Sequence, residues 1–306
     1  MTVRGVTRRA LLPVLVLLLA LVAVPASQAR PHARPDARRL PLSIDYVALG
    51  DSYTSGPLVL PYDDTFVPVD CGQSLVNYPH LVAKAIGARS FVDMSCGSAT
   101  LDDLFAAQED LPIGGANRPQ LDPVGPGTDL ITLGMGGNDV NFTGLATDCI
   151  RLLGPPYEAP CTPLLDPDGT DKMDRRIREL GVELGHALDA IEAKAPAARI
   201  LVVGYLAALP ANGIACWPYL PILPADMPYL VDKFTAMNRM LARTARAHGH
   251  EYVDLYTSSI GHDACQVPLL AWANGVVVVP PSYPAHPNHL GLADAGKVVT
   301  RAVLRR

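Results

Sequence analysis

Five short runs of the chain are apolar and rich in β-branched residues, and polar or glycine-containing segments bound each of them. This pattern predicts strands at Ile44 to Leu49, Ser90 to Met94, Asp129 to Leu133, Ile200 to Val203 and Tyr252 to Leu255. Between and after them the apolar spacing changes. Ile177, Leu180, Leu184, Leu188 and Ile191 recur every three or four residues, the single stripe of an amphipathic helix. Leu230, Phe234, Met237 and Leu241 repeat it, with Asp226 and Pro228 marking a helix start. Shorter helices are expected over Tyr78 to Ile86 and Leu290 to Val303. Strands alternating with helices imply a parallel sheet covered on both faces, and in such folds ligands bind beyond the carboxyl ends of the strands.

The first residues follow a different pattern. Arg4, Arg8 and Arg9 precede an apolar run, Ala10 to Val24, and Ser27-Gln28-Ala29 then supplies small residues. A cleaved secretory signal over residues 1–29 is the expectation. A retained anchor is the other reading, although the run is about fifteen residues where a span needs about twenty. Residues 30–40, rich in Arg and Pro, read as a disordered spacer, and residues 41–306 as one domain. Setting the leader aside changes the charge. Residues 41–306 keep 18 Lys and Arg against 29 Asp and Glu, a net charge of −11. That balance argues against nucleic acid as a partner and is compatible with a neutral ester or lipid.

An even set of cysteines behind a signal peptide predicts disulfides: Cys71, Cys96, Cys149, Cys161, Cys216 and Cys265. Fifteen pairings are possible. The favoured one runs in sequence order, each pair stapling one long loop to the body. No zinc-finger spacing occurs, and no metal or cofactor is expected.

Chemistry-bearing residues fall where the strand-end rule asks for them. The first strand runs into Gly50-Asp51-Ser52, the second into Ser95-Cys96-Gly97-Ser98-Ala99-Thr100, and the third into Gly134-Met135-Gly136-Gly137-Asn138-Asp139; a late loop carries His286-Pro287-Asn288-His289. Acyl transfer needs an activated nucleophile, a base beside it and donors for an oxyanion. Ser52 offers the alcohol and His286 an imidazole that titrates near neutrality. Gly-Asp-Ser alone would be weak evidence, since a serine there is commonly a helix cap.

All four segments, in this order, resemble the four blocks of the SGNH (GDSL-type) hydrolases, most closely the secreted actinobacterial lipases and esterases. The resemblance runs from about Ile44 to the C-terminus. It implies a three-layer α/β/α fold around a mainly parallel five-stranded sheet, of flavodoxin-like type. It also implies a serine carboxylic-ester hydrolase acting through an acyl-enzyme on Ser52, with His286 as base and the amides of Ser52 and Ser98 and the Asn138 side chain as oxyanion donors. Three departures stand out. The second block has Ser98 where glycine is usual, so Gly97 competes as the amide donor. The usual acid three residues before the histidine is Tyr283, which suggests a dyad whose imidazole is oriented by the Tyr283 main-chain carbonyl. His289 competes with His286, but His-Pro-Asn selects the first. Asp263, the nearest upstream acid, reads as a structural loop residue beside Cys265. The loop Val267 to Val279, with Leu269, Leu270 and Trp272, is a candidate wall for an acyl chain. Acylglycerols, phospholipids or small esters are the expected substrates, and the protein is expected to act as a monomer without an obligate protein partner. A carbohydrate O-deacetylase of the same fold and a non-catalytic binding protein are the alternatives. The Gly-x-Ser-x-Gly elbow of α/β-hydrolases is absent.

Overall fold

The computed structural model describes residues 43–305, apart from positions 110, 154–157, 166–168 and 277. The expected signal segment and spacer lie outside the described residues. The strands are β1 (Asp45–Gly50), β2 (Ser90–Asp93), β3 (Leu130–Gly134), β4 (Arg199–Val203) and β5 (Glu251–Val253). All pairings are parallel and the order is β2-β1-β3-β4-β5. Each falls within two residues of the run that the pattern predicts.

Burial explains the composition of these strands. The central ones, β3 and β4, are buried at every position, which is why they read as continuous apolar runs rather than alternating ones. The edges β2 and β5 keep partly exposed positions. Helices α1 (Ser52–Ser55), α2 (Tyr78–Ile86), α3 (Phe142–Cys149), α4 (Thr162–Leu165), α5 (Lys172–Lys194), α6 (Met227–Ala247), α7 (Tyr256–Ser259) and α8 (His289–Leu304) complete the fold. The long ones pack in pairs, α2 with α8 and α5 with α6. In α5 the stripe Ile177, Leu180, Leu184, Leu188 and Ile191 is buried as expected. Each such side chain removed from water stabilises the fold by roughly 1.5–3 kcal/mol. Arg199, at the start of β4, can be buried because each of its guanidinium nitrogens finds an acceptor. It pairs with Glu251 and donates to the α8 carbonyls of Ala302 (2.8 Å) and Val303 (2.6 Å), a cation closing a helix C-terminus.

One expected cap acts differently. Asp226 precedes α6 but makes no cap bond to it. Its carboxylate instead accepts from the amides of Cys161 (3.0 Å) and Thr162 (2.9 Å) and from the Thr162 hydroxyl. It therefore fastens the α3–α4 loop to the body. The disulfides pair in sequence order, Cys71–Cys96, Cys149–Cys161 and Cys216–Cys265.

The strand order reverses direction between β1 and β3, the topological switch point at which doubly wound sheets bind ligands. The segments that follow these two strands carry Ser52 and Asn138.

Candidate active site

Ser52 opens α1, immediately after β1. The turn is fixed across the switch point: the Asp51 amide donates to the Gly134 carbonyl at 3.0 Å, joining the end of β1 to the end of β3. The Asp51 side chain caps α1 through the Tyr53 amide at 2.9 Å. From Asp51 to Gly56 the amides of Asp51, Tyr53, Thr54, Ser55 and Gly56 all have acceptors, and the Ser52 amide has none among the described residues.

His286 reaches this turn from the loop before α8. Its Nε2 lies 2.7 Å from Ser52 Oγ. Its Nδ1 lies 2.8 Å from the Pro284 carbonyl oxygen, which corrects the expectation of Tyr283 by one residue. The reason is a tight turn. The His286 amide donates to the Tyr283 carbonyl at 3.1 Å, with Pro284 second and Ala285 third at φ 59°. Proline followed by a left-handed residue is the type II arrangement. The Tyr283 oxygen closes the turn, which leaves the Pro284 oxygen to face the ring. Tyr53 braces the same loop: its hydroxyl donates to the Ala285 carbonyl and its ring stands 4.9 Å from the imidazole. Burial pushes the His286 pKa down to about 4, with the bond to Pro284 opposing the shift. The imidazole is thus neutral at neutral pH, the form a general base requires. The competing His289 is exposed on the first turn of α8.

The second block departs from the usual glycine without losing its conformation. Ser98 stands at φ 64°, a left-handed backbone that costs a non-glycine residue roughly 1–2 kcal/mol. The Gly97 amide donates to the Cys71 carbonyl at 3.0 Å, whereas the Ser98 amide has no acceptor among the described residues. Asn138 follows a turn that needs glycine, since Gly136 stands at φ 131°. One Asn138 side-chain donor is held by the Ala99 carbonyl at 2.9 Å, which ties the third block to the second.

Sequence reasoning missed Tyr205, two residues beyond β4. Its hydroxyl accepts from the Gly137 amide at 2.7 Å and donates to the Asp51 carboxylate. One buried oxygen therefore joins the serine turn to the asparagine turn. Burial pushes the Asp51 carboxyl up to about 7, against the lowering effect of the Tyr205 hydroxyl and the Tyr53 amide. Asp139 is pushed up to about 6 by burial; one oxygen accepts from the Leu101 amide, and the other is buried without a partner among the described residues. Asp263 is buried, but its carboxylate accepts from the Cys265 amide at 2.9 Å within its own loop. Among the described residues no three His, Cys, Asp or Glu side chains gather as metal ligands would.

Ser52, Asn138 and His286 line a cavity of about 310 Å³. Much of its wall is apolar: Phe142 and Leu145 from α3, Leu209 and Ile222 from the loop after β4, and Leu230 and Phe234 from α6. None of the described residues of the loop Val267 to Val279 lines that cavity. Trp272 stacks on His262 at 3.8 Å, and Leu269 is 85% exposed. The expected wall is corrected accordingly. Part of the true wall was visible as the α6 stripe, read only as the apolar face of a helix.

Residues 48–293 match the model of the GDSL-like lipase/acylhydrolase family. The chain belongs to this family. This GDSL hydrolase is 38% identical over 274 residues to "Lipase 2" of Streptomyces coelicolor, covering 88% of each chain. It is 32% identical over 222 residues to a lipase of Streptomyces rimosus, covering 72% of this chain and 73% of the relative. Among solved structures, the extracellular lipase of Streptomyces rimosus superposes with a TM-score of 0.67 at 26% identity, over 86% of this chain and 100% of that one. Phospholipase A1 of Streptomyces albidoflavus shares the fold, with a TM-score of 0.66 at 24% identity over 85% and 98%. The GDSL hydrolase described here is a carboxylic ester hydrolase.

Proposed function

We propose that the protein cleaves esters of aliphatic acids through an acyl-enzyme on Ser52. The observation that carries this reading is the 2.7 Å contact between Ser52 Oγ and His286 Nε2 in the wall of a largely apolar cavity. In the reaction Ser52 Oγ attacks the ester carbonyl while His286 Nε2 takes its proton. The Pro284 carbonyl holds the ring through Nδ1 and favours the imidazolium that forms, so a dyad suffices. The negative charge that develops on the carbonyl oxygen is met by the amides of Ser52 and Ser98 and by Asn138 Nδ2. Collapse of this intermediate expels the alcohol, which receives the proton from His286. Water, deprotonated by the same imidazole, then releases the acid.

The cavity supports a substrate with an extended acyl chain. A cavity of about 310 Å³ with this lining has room for far more of an aliphatic chain than an acetyl group. A carbohydrate O-deacetylase needs room only for acetyl, and this apolar volume disfavours it. Acylglycerols and phospholipids are the substrate class we infer. Secretion, with removal of residues 1–29, and action as a monomer belong to the same proposal. A series of nitrophenyl esters with acetate through palmitate chains, with phosphatidylcholine and acetylated xylan alongside, tests it. A kcat/KM that rises from acetate to a maximum between C6 and C12 supports the reading. A maximum at acetate, with release of acetate from xylan, would replace it with the deacetylase.

A further inference from the structure

The cavity mouth carries exposed apolar surface that the core does not explain. Ile150 and Tyr283 line the cavity yet remain 40% and 49% exposed. From Tyr283 the surrounding loops are joined by hydrogen bonds into one rim. The Tyr283 amide donates to the Pro57 carbonyl (3.1 Å), the Ala285 amide to Asn274 (2.7 Å) and the Val276 amide to Tyr219 (3.0 Å). Trp217 Nε1 then donates to the Arg151 carbonyl (2.9 Å), and the Arg151 amide to Pro221 (2.7 Å). On these loops Leu58, Leu152, Leu153, Ile214, Trp217 and Tyr219 all stand exposed. Single exposed apolar residues need no explanation, but a contiguous group marks an interaction site.

Charge narrows the choice of partner. Residues 204–225 and 266–293, which supply four of these eight exposed residues, contain no Asp, Glu, Lys or Arg, in a domain whose net charge is −11; the segments that carry the other four hold Asp63, Asp64, Asp148 and Glu158 besides Arg151. The guanidinium of Arg151 is turned onto the carbonyls of Asp148 (2.7 Å) and Ala159 (2.7 Å). An anionic membrane would need a basic rim. A specific protein partner is ordinarily placed in register by charges and polar pairs, and the rim offers few. A surface with few fixed charges costs less to desolvate against lipid, and the carboxylates at its margin oppose an anionic one. Half-exposed Trp217, Tyr219 and Tyr283 are the amphipathic side chains that settle at the level of lipid headgroups.

We propose that this apolar rim docks the enzyme onto a zwitterionic or neutral lipid surface, with the cavity mouth facing the acyl chains. The inference rests on the reading that the cavity receives a lipid acyl chain, and it adds that the substrate is taken from an aggregated surface.

Two measurements on the full chain test it. The first is co-sedimentation of the Ser52→Ala protein with phosphatidylcholine vesicles, alone and with one third phosphatidylglycerol. The same variant carrying Leu152→Asp and Ile214→Asp is run beside it. Neither Leu152 nor Ile214 lines the cavity, and both are mostly exposed. The second is hydrolysis of a soluble nitrophenyl ester by the Leu152→Asp/Ile214→Asp enzyme with Ser52 intact. The proposal expects binding to phosphatidylcholine, weaker binding when phosphatidylglycerol is added, at least a tenfold loss of binding in the double variant, and soluble-ester kcat/KM within twofold of the parent. Absence of vesicle binding, equal binding by the double variant, or tighter binding to anionic vesicles would each overturn it. So would a parent dimer, seen by light scattering, that the double substitution dissociates, because the rim would then be a self-association face. Vesicle binding by a protein that hydrolyses no ester would remove the proposed function and leave the rim. Ester hydrolysis without vesicle binding would do the reverse.

Discussion

Replacing Tyr205 by Phe removes one buried oxygen and leaves the ring, which separates positioning from chemistry. The hydroxyl accepts from the Gly137 amide at 2.7 Å and donates to the Asp51 carboxylate. Without it a largely buried amide and a buried carboxylate each lose a partner. An unsatisfied buried group costs about 1–3 kcal/mol, and a bond to a charged group is worth about 1.5–3. Both losses fall on the same atom, so they overlap, and we expect Tyr205→Phe to lower stability by about 2–4 kcal/mol. Urea titration should show a lower midpoint with unchanged slope. The penalty should also depend on pH. The Asp51 carboxyl is already held up to about 7 by burial, with Tyr205 opposing that shift. The unfolded carboxyl titrates near 4, so the stability carried by neutral Asp51 is complete below that pH and is lost as pH rises through 7. Removing the opposing bond raises the folded pKa further, and the deficit of the variant should grow between pH 5 and pH 9. Catalysis should suffer through Asn138, the neighbour of Gly137. A single oxyanion donor is worth about 10²–10³ in turnover, and a displaced one should cost about tenfold in kcat with KM within twofold. In an Asn138→Ala background the same change should cost less than about twofold, because the group it positions is gone. A tenfold loss in both backgrounds, or none in either, would refute the positioning argument.

The remaining predictions concern the base and its neighbours. His286→Ala should be nearly inactive toward a nitrophenyl ester and His289→Ala close to the parent; the reverse result would move the base to the second histidine. Because burial pushes His286 down to about 4, the neutral base persists as pH falls, and the acid limb of kcat/KM should have its midpoint well below the ordinary histidine value of about 6.5. A midpoint at or above that value would mean that the ring is better solvated than the structure has it. Asp263→Ala should lose less than about tenfold in kcat, since its carboxylate is committed to the Cys265 amide; a loss near the roughly 10⁴ of a missing triad acid would replace the dyad by a triad.

The sheet was legible because burial on both faces leaves an unbroken apolar run, and β3 and β4 are of that kind. The four blocks were legible because their residues follow the strands, where the fold gathers ligand groups. Ser98 became intelligible only with its φ of 64°, which shows what the usual glycine is for. The orienting carbonyl could not be read to the residue. Which oxygen is free depends on the turn that Ala285 closes, and alanine carries no signal for a positive φ. The cavity wall escaped because the α6 stripe serves core and cavity together, and apolar spacing cannot distinguish the two. Tyr205 was within reach, since it stands just beyond β4, but a lone tyrosine in an apolar segment reads as packing. Asp51 was read only as part of the serine turn, since its burial depends on residues far away in sequence.

The central claim is that Ser52 is the nucleophile and that His286 activates it. Labelling with a fluorophosphonate, followed by peptide mass spectrometry, tests this without reference to any substrate. The account predicts one adduct, on the peptide that contains Ser52, absent in Ser52→Ala and formed far more slowly in His286→Ala. A parent protein left unlabelled, or an adduct retained at another serine in Ser52→Ala, would contradict it.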